Sequence, residues 1–409
     1  MRYAPSTTLV SMVVYGGSGL AFAGANLLLA RELPTEQFAL VTLLVALNTL
    51  GYHFAPLGLD GIVMRGRVEV GWPLLQRTAA VAVGVGIVTS VIASFVYGLS
   101  GTLAALLLCG TAAGGLMLVA SAGFQSEQRF GVALALVMSP NLMLLLGALA
   151  TIATGARTAA LSFDVLTVGL ALAAGIGWAL ALRKRPSSNA PAAGVPWSEA
   201  LVLAGVSGAV MLFVQLERLV IPHVLSVADL ALFGVLGAIA GSLFRLLQMA
   251  VGFSLLPRLR AAATVPERRL LVARELRFAL VVSVLGAAAI LVLTPLIEDW
   301  FLADKYHLSM GLLVAALFSG VAKIAHAFAR AAATALATPR ELAFVNWAGW
   351  LSVALAVIAS VLGAPWGLTG VVYGIGLGWL AWAVLSFAVV MHHLRLPADV
   401  AAELGKEAP

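Results

Sequence analysis

Residues 101–121 read GTLAALLLCGTAAGGLMLVAS and contain no charged side chain. This run matches the roughly 20 apolar residues that an α-helix needs to cross a lipid bilayer. Backbone groups in lipid must find their hydrogen bonds within the segment, so the run is predicted to be a helix. Eleven further apolar stretches are predicted as spanning helices on the same grounds, at 8–30, 37–58, 78–99, 132–153, 162–182, 200–221, 229–254, 278–297, 310–335, 341–363 and 367–391.

The composition of the 409 residues excludes several classes of protein. Hydrophobic residues make up 62% of the chain and charged residues 10%, whereas a soluble globular protein carries roughly 25% charged residues. A soluble enzyme is therefore excluded, and a disulfide scaffold is excluded because Cys109 is the only cysteine. The sequence has neither a phosphate-binding GK[ST] loop nor a metal-ligand cluster, so no cofactor is expected.

The basic residues between the spans predict the orientation in the membrane. With the N-terminus inside, the cytoplasmic segments carry 17 Lys and Arg residues, and the outer side carries only Arg31, Arg157 and Lys305. This ratio follows the positive-inside rule, so both termini are predicted to be cytoplasmic. The formal charge of +6 is thereby explained without a nucleic-acid partner.

A polar stretch divides the predicted helices into two sets of six. Residues 183–199 (RKRPSSNAPAAGVPWSE) are rich in Pro, Ser and Ala and are typical of a flexible linker. The predicted fold is an all-α polytopic membrane protein with about 12 transmembrane helices in two six-helix halves around a central cavity. The halves cover 1–182 and 200–395, and 396–409 form a cytoplasmic tail.

Two further features concern the cytoplasmic side. The segment 258–277 is rich in arginine and is predicted to form a short amphipathic helix on the membrane surface, near anionic lipid head groups. Asp60 ends the second apolar stretch on this side, where pairing with Arg65 or Arg67 is the favoured interpretation.

Two segments carry a family resemblance. Residues 27–65 (LLLARELPTEQFALVTLLVALNTLGYHFAPLGLDGIVMR) resemble the first helical hairpin of polysaccharide-biosynthesis flippases, and 215–235 (QLERLVIPHVLSVADLALFGV) resemble their "Asp-Arg … Gly … Tyr" segment. Glu217 stands here in place of the family's Asp, and Ala39 where Gly is usual. The matching positions in the first segment are Arg31, Pro34, Glu36, Phe38, Gly58, Leu59, Asp60 and Arg65.

This resemblance is to the O-antigen and capsule flippase branch of the multidrug/oligosaccharidyl-lipid/polysaccharide (MOP) exporter superfamily. It implies a bacterial inner-membrane transporter of lipid-linked oligosaccharide rather than an enzyme. Membrane lipids, a coupling H+ or Na+ and the polysaccharide polymerase and chain-length machinery are the partners that the resemblance implies.

Basic residues within the spans are the candidate substrate-binding groups. A charge at mid-bilayer costs at least about 2.5–3.5 kcal/mol, so it usually faces an interior cavity. Lys323, His326 and Arg330 share one helical face, at i, i+3 and i+7, and Arg245 shares another with Gln248. We call the first three residues the basic ladder, and a pyrophosphate is the anion that such groups would bind. In the alternative interpretation Arg330 reaches the cytoplasmic interface and Lys323 pairs with a carboxylate.

Glu217 and Arg218 are adjacent in the stretch 200–221 and therefore point about 100° apart on a helix. Arg218 is a further candidate for substrate binding. Glu217 is interpreted as the only acid well inside a span, which makes it the candidate for binding a coupling ion, although a structural ion pair is the competing role.

The leading function is thus a flippase that moves a polyprenyl-pyrophosphate-linked oligosaccharide to the outer leaflet. The alternative is an ion-coupled drug or metabolite antiporter of the same superfamily. Cationic drugs call for an acidic cavity, and the four basic residues within the spans against Glu217 argue for an anionic substrate.

Overall fold

The computed structural model describes residues 5–183, 194–241, 244, 259, 262, 264–303 and 305–395, with the backbone alone for 5–15, 339 and 395. Helices make up nearly all of this described part, which contains no strand. The helices are α1 (Pro5–Glu32), α2 (Thr35–Phe54), α3 (Leu59–Met64), α4 (Trp72–Tyr97), α5 (Gly101–Ser126), α6 (Phe130–Thr154), α7 (Ala159–Leu182), α8 (Trp197–Val224), α9 (Val227–Leu236), α10 (Val265–Leu296), α11 (Met310–Leu336), α12 (Pro339–Gly363) and α13 (Gly367–Arg395).

These helices confirm the predicted all-helical membrane protein. In the described residues nine helical segments are long and apolar enough to cross a membrane, and one of them, Arg340–Leu394, contains both α12 and α13. A shorter apolar segment, Val227–Gly241, covers α9 and the π-helical turn Gly237–Gly241 that follows it. The arrangement of the spans as two six-helix halves around a cavity stays a prediction.

Local sequence signals account for where several helices begin and end. Ser100 and Ser309 cap α5 and α11, because each side chain accepts a hydrogen bond from a backbone N–H three residues later. Gly98 and Gly155 follow α4 and α6 in the left-handed conformation, which terminates a helix at little steric cost.

The second predicted span, 37–58, is wrong at its C-terminal end. Helix α2 stops at Phe54, and α3 starts as a separate short helix at Leu59. The reason lies in two residues between them, because Leu57 and Gly58 have φ angles of 45° and 83°. Left-handed residues cannot continue a right-handed helix, so the chain turns there.

The predicted surface helix over 258–277 is also wrong in the described part. Thr264 and Glu267 form a capping box, and α10 then runs without a break to Leu296. Residues 265–277 are therefore the first turns of a helix that continues into the apolar stretch, rather than a separate element. Arg258 and Arg260 lie outside the described residues.

The described chain forms two compact units, 1–234 and 235–409. In the first unit α5 packs against α4 and α7, α6 against α1 and α7, and α2 against α5 and α8. Its fully buried side chains include Phe38, Phe124, Phe163 and Phe213. Helix α8 therefore belongs to the first compact unit, whereas the predicted halves place it in the second half.

In the second unit α13 packs against both α11 and α12. Trp382 on α13 donates a hydrogen bond from its indole nitrogen to the carbonyl oxygen of Val345 on α12, over 2.9 Å. The rings of Phe328 and Phe387 stack with their centroids 6.0 Å apart. Aromatic side chains of α13 thus hold the three helices together.

Candidate functional site

The basic ladder lies on α11, in the second unit. Because α11 is continuous from Met310 to Leu336, Lys323, His326 and Arg330 occupy one face, as their spacing predicts. The rise of an α-helix separates the first and last of them by about 10 Å along the axis. The helix therefore presents these three side chains in a row along its axis.

His326 is the most enclosed member of the ladder. Its imidazole is 3% exposed, and the ring centroids of Trp379 and Trp382 lie 5.0 and 4.1 Å away. The Nε2 atom has no hydrogen-bond partner among the described residues. In this conformation His326 packs α11 against α13, and a substrate would reach it only if the two helices moved apart.

Lys323 and Arg330 are half-buried on either side of His326. The Lys323 ammonium lies 6.0 Å from the centroid of the Trp379 ring, within reach of a weak cation–π interaction. Within the described part of the chain, no carboxylate lies at ion-pair distance from Arg330. The guanidinium of Arg330 is thus the group of the ladder most available to an anion.

Glu217 and Arg218 lie on α8, in the first unit. Both are buried, at 2% and 8% exposure. Arg218 donates a hydrogen bond from Nη1 to Oε1 of Gln215 over 2.9 Å, and its guanidinium lies 5.6 Å from the ring of Phe233. Arg218 is thus held by neighbours in its own unit, which accords with a packing role.

The predicted site residues are therefore divided between two units. Lys323, His326 and Arg330 belong to the second unit, and Glu217 and Arg218 belong to the first. Arg245 and Gln248 lie outside the described residues. A search of the described residues finds no group of three or more His, Cys, Asp or Glu side chains that could hold a metal ion.

Sequence reasoning passed over two acidic residues. Asp164 lies in the second turn of α7, about 8 Å along the axis from the helix start, so Glu217 is not the only acid within a span. Glu199 on α8 forms an ion pair with Arg65, with Nη1 and Oε1 2.8 Å apart. Arg65 thus has a partner other than the predicted Asp60. An acid in an apolar stretch was the available signal for Asp164, while the Glu199 contact depends on tertiary packing.

Asp60 lies on α3, outside the spanning helices, with a partly buried side chain. Burial raises the pKa of its carboxyl group above the usual value, and backbone hydrogen bonds oppose the shift. The cause is desolvation, which disfavours the ionised form. The ionised form of Asp60 is thus less favoured in the folded protein than in a solvated chain.

Comparison with known proteins gives a fold but no family. No protein-family model and no curated protein matches the sequence. Among solved structures, an inward-facing MATE-family multidrug resistance transporter of the MOP superfamily is similar, with a TM-score of 0.69 and 12% identity over 96% of both chains. The lipid II flippase MurJ, in an inward closed conformation, is similar with a TM-score of 0.61 and 12% identity over 97% of this chain and 90% of that chain.

A variant of the Vibrio cholerae MATE transporter VcmN is also similar, with a TM-score of 0.55 and 17% identity over 94% of this chain and 95% of that chain. At such identities the likeness concerns the fold alone.

Proposed function

We propose that the protein is an alternating-access flippase that moves a polyprenyl-pyrophosphate-linked oligosaccharide across the bacterial inner membrane. The glycan would serve O-antigen, capsule or exopolysaccharide synthesis. The observation that carries this proposal is Arg330, a half-buried cation on a spanning helix with no carboxylate at ion-pair distance in the described residues. Burying a charge inside a membrane span costs free energy, so a cation found there is a functional group by default. An anion is the ligand that would stabilise it.

The chemistry of the ladder suits a diphosphate. Arginine binds phosphate oxygens through a bidentate fork, and lysine binds them as a compact point charge. Lys323 and Arg330 would thus offer two successive contacts about 10 Å apart along the transport path. Arg245, Gln248, His326 and Arg218 are proposed as further substrate-binding residues.

Glu217 is proposed as the site of a coupling ion. An acidic side chain inside a spanning helix is a functional candidate by default, and an ion that binds one conformation more tightly than another shifts the equilibrium between them. A conformational change coupled to this site would then make substrate and ion binding interdependent. The place of Glu217 on a spanning helix, with a side chain that is 2% exposed, supports this proposal.

The proposed setting follows from the topology and the substrate. We propose that both termini lie in the cytoplasm, as the positive-inside rule predicts, and that the glycan lipid is taken up from the inner leaflet. After release on the outer side, the polysaccharide polymerase and chain-length machinery would receive it. The proposal requires no cofactor and no nucleic acid.

An ion-coupled drug or metabolite antiporter is the second candidate. Two observations favour it: the similarity to the MATE-family transporter and the buried carboxylate of Glu217. A cationic drug would need a negative partner in its binding site. The cations Lys323 and Arg330 on one face of α11 oppose that requirement, so the flippase is preferred.

The test is glycan export in cells that depend on this gene. Arg330→Gln and Lys323→Leu should each lower export at least tenfold at equal membrane abundance, and Lys323→Arg should retain part of it. Lys323→Glu should be worse than Lys323→Leu because it repels phosphate. Arg340→Gln, which removes an exposed arginine at the start of α12, is the control and should export normally. Normal export by Lys323→Leu and Arg330→Gln would refute the anion site.

A further inference from the structure

Helix α8 contacts the first unit at its N-terminal end, which is predicted to be cytoplasmic. Arg65 at the end of α3 pairs with Glu199 in the first turn of α8, with Nη1 and Oε1 2.8 Å apart. The backbones of α3 and α8 also come close at Gly58. A methyl group added there would overlap the carbonyl oxygen of Ala200. The contact thus requires a glycine at position 58, where φ is 83°.

Helix α8 also contacts α2 and α4 further along its length. A Cβ atom at Gly208 would lie 2.6 Å from the ring of Phe54, so α2 and α8 touch near the middle of α8. Towards the outer end, the Tyr97 hydroxyl of α4 donates a hydrogen bond to the carbonyl oxygen of Leu219 over 3.1 Å. The Tyr97 and His223 rings also lie 5.0 Å apart. Helix α8 therefore contacts α3, α2 and α4 in turn.

These contacts extend across the membrane. Glu199 and Leu219 are separated by about 30 Å along the axis, which equals the thickness of the hydrocarbon core. A helix that is held at both ends cannot swing away on one side unless contacts at that side break. Helix α8 ends at Val224, and the following α9 runs from Val227 into a π-helical turn at Gly237–Gly241. Such turns are frequent at functional sites.

We propose that α8 moves with the first unit throughout the transport cycle, although the linker 183–199 assigns it by sequence to the second half. The part of the chain that changes position during transport would then begin after α8, rather than at the linker. Glu217 and Arg218 would stay fixed relative to α2 and α4. The inference rests on the proposed alternating-access transport, and its test includes a measurement that needs no substrate.

The test fixes α8 to α3 with a disulfide, in a chain in which Cys109→Ala removes the only native cysteine. The pair Gly61→Cys and Leu203→Cys is suited to it, because a Cβ atom at Gly61 would lie 3.4 Å from the Leu203 Cβ, close to disulfide geometry. The oxidised double variant should export glycan within about twofold of the reduced form. Each single cysteine variant, which cannot form the disulfide, is the control. Export that is lost on oxidation and restored by a reductant would overturn the proposal.

A spin-label measurement separates this inference from the proposed function. Labels at Arg67 and Ser198, both exposed, report the distance between the α3 region and the start of α8 in purified protein. One narrow distance distribution that is unchanged by pH or Na+ is expected. A second population of distances that grows when the pH or the Na+ concentration is changed would overturn the inference, whether or not the protein exports glycan.

Discussion

The imidazole of His326 and the indole of Trp382 lie with their ring centroids 4.1 Å apart, which joins a candidate substrate residue to the packing of α11 against α13. Trp382 is 1% exposed and also hydrogen-bonds to Val345 on α12. One side chain therefore links three helices of the second unit.

Replacing this tryptophan should destabilise the second unit. Trp382→Ala is expected to lower the free energy of unfolding by about 3–5 kcal/mol, the usual cost of deleting a buried aromatic ring. Thermal unfolding in detergent would show it as a lower midpoint. The control is Trp366→Ala, since Trp366 is 75% exposed. Equal midpoints for the two variants would contradict the packing role of Trp382.

Gly58 allows a direct test of the contact between α3 and α8. Gly58→Ala should cost more than the 1–2 kcal/mol or so that a left-handed non-glycine residue usually costs, because its methyl group also overlaps Ala200. Gly66→Ala is the matched control, since Gly66 has a φ of 67° and no atom near the added methyl group. Thermal unfolding should therefore rank Gly58→Ala well below Gly66→Ala. The same midpoint for both would mean that the close approach is not present.

Asp60 predicts a pH dependence. Its pKa is raised by burial, so the protonated form is favoured in the folded state. The stability that the protonated Asp60 contributes is fully present below the pKa of Asp60 in the unfolded state. It is lost as the pH rises through the pKa of Asp60 in the folded state. Asp60→Asn should thus raise the unfolding midpoint near pH 7 and flatten its dependence on pH above 4. The exposed Glu69 provides the control Glu69→Gln, which should behave as wild type. A pH profile that Asp60→Asn leaves unchanged would refute this assignment.

Topology can be measured with reporter fusions. A reporter after Ser188 and one at the C-terminus should read cytoplasmic, while one near Lys305 should read as outside the inner membrane. The reason is the excess of basic residues in the segments assigned to the cytoplasm. Opposite signals at Ser188 and Lys305 would invert the orientation and with it the direction of the proposed transport.

The spans could be predicted from the sequence because each is a long apolar run bounded by polar or turn residues. Several predicted and observed bounds differ by a few residues or less, as at 310–335 against Met310–Leu336, whereas α10 begins at Val265 rather than at 278. The break after Phe54 has a local signal in Pro56 and Gly58, which favour a turn, but the positive φ of Leu57 does not follow from its residue type. The start of α10 has a sequence signal, because Thr264 and Glu267 have the spacing of a capping box.

The surroundings of the candidate residues were harder to predict. The spacing places Lys323, His326 and Arg330 on one face of a helix, and the structure agrees. That His326 lies against two indoles depends on which face of α13 meets α11, and helix periodicity alone does not determine it. The pairing of Arg65 with Glu199 likewise joins residues 134 positions apart, through packing that the sequence does not specify.

The most direct test of the central claim is flipping of a labelled polyprenyl-pyrophosphate oligosaccharide in proteoliposomes. Glycan lipid that becomes accessible to an enzyme added outside the vesicles would be measured over time. The account predicts that the wild-type protein accelerates this exposure and that Arg330→Gln and Lys323→Glu abolish the acceleration, while Arg340→Gln retains it. No acceleration by wild-type protein, in vesicles in which it exchanges a cationic drug for H+ or Na+, would contradict the account and establish the antiporter.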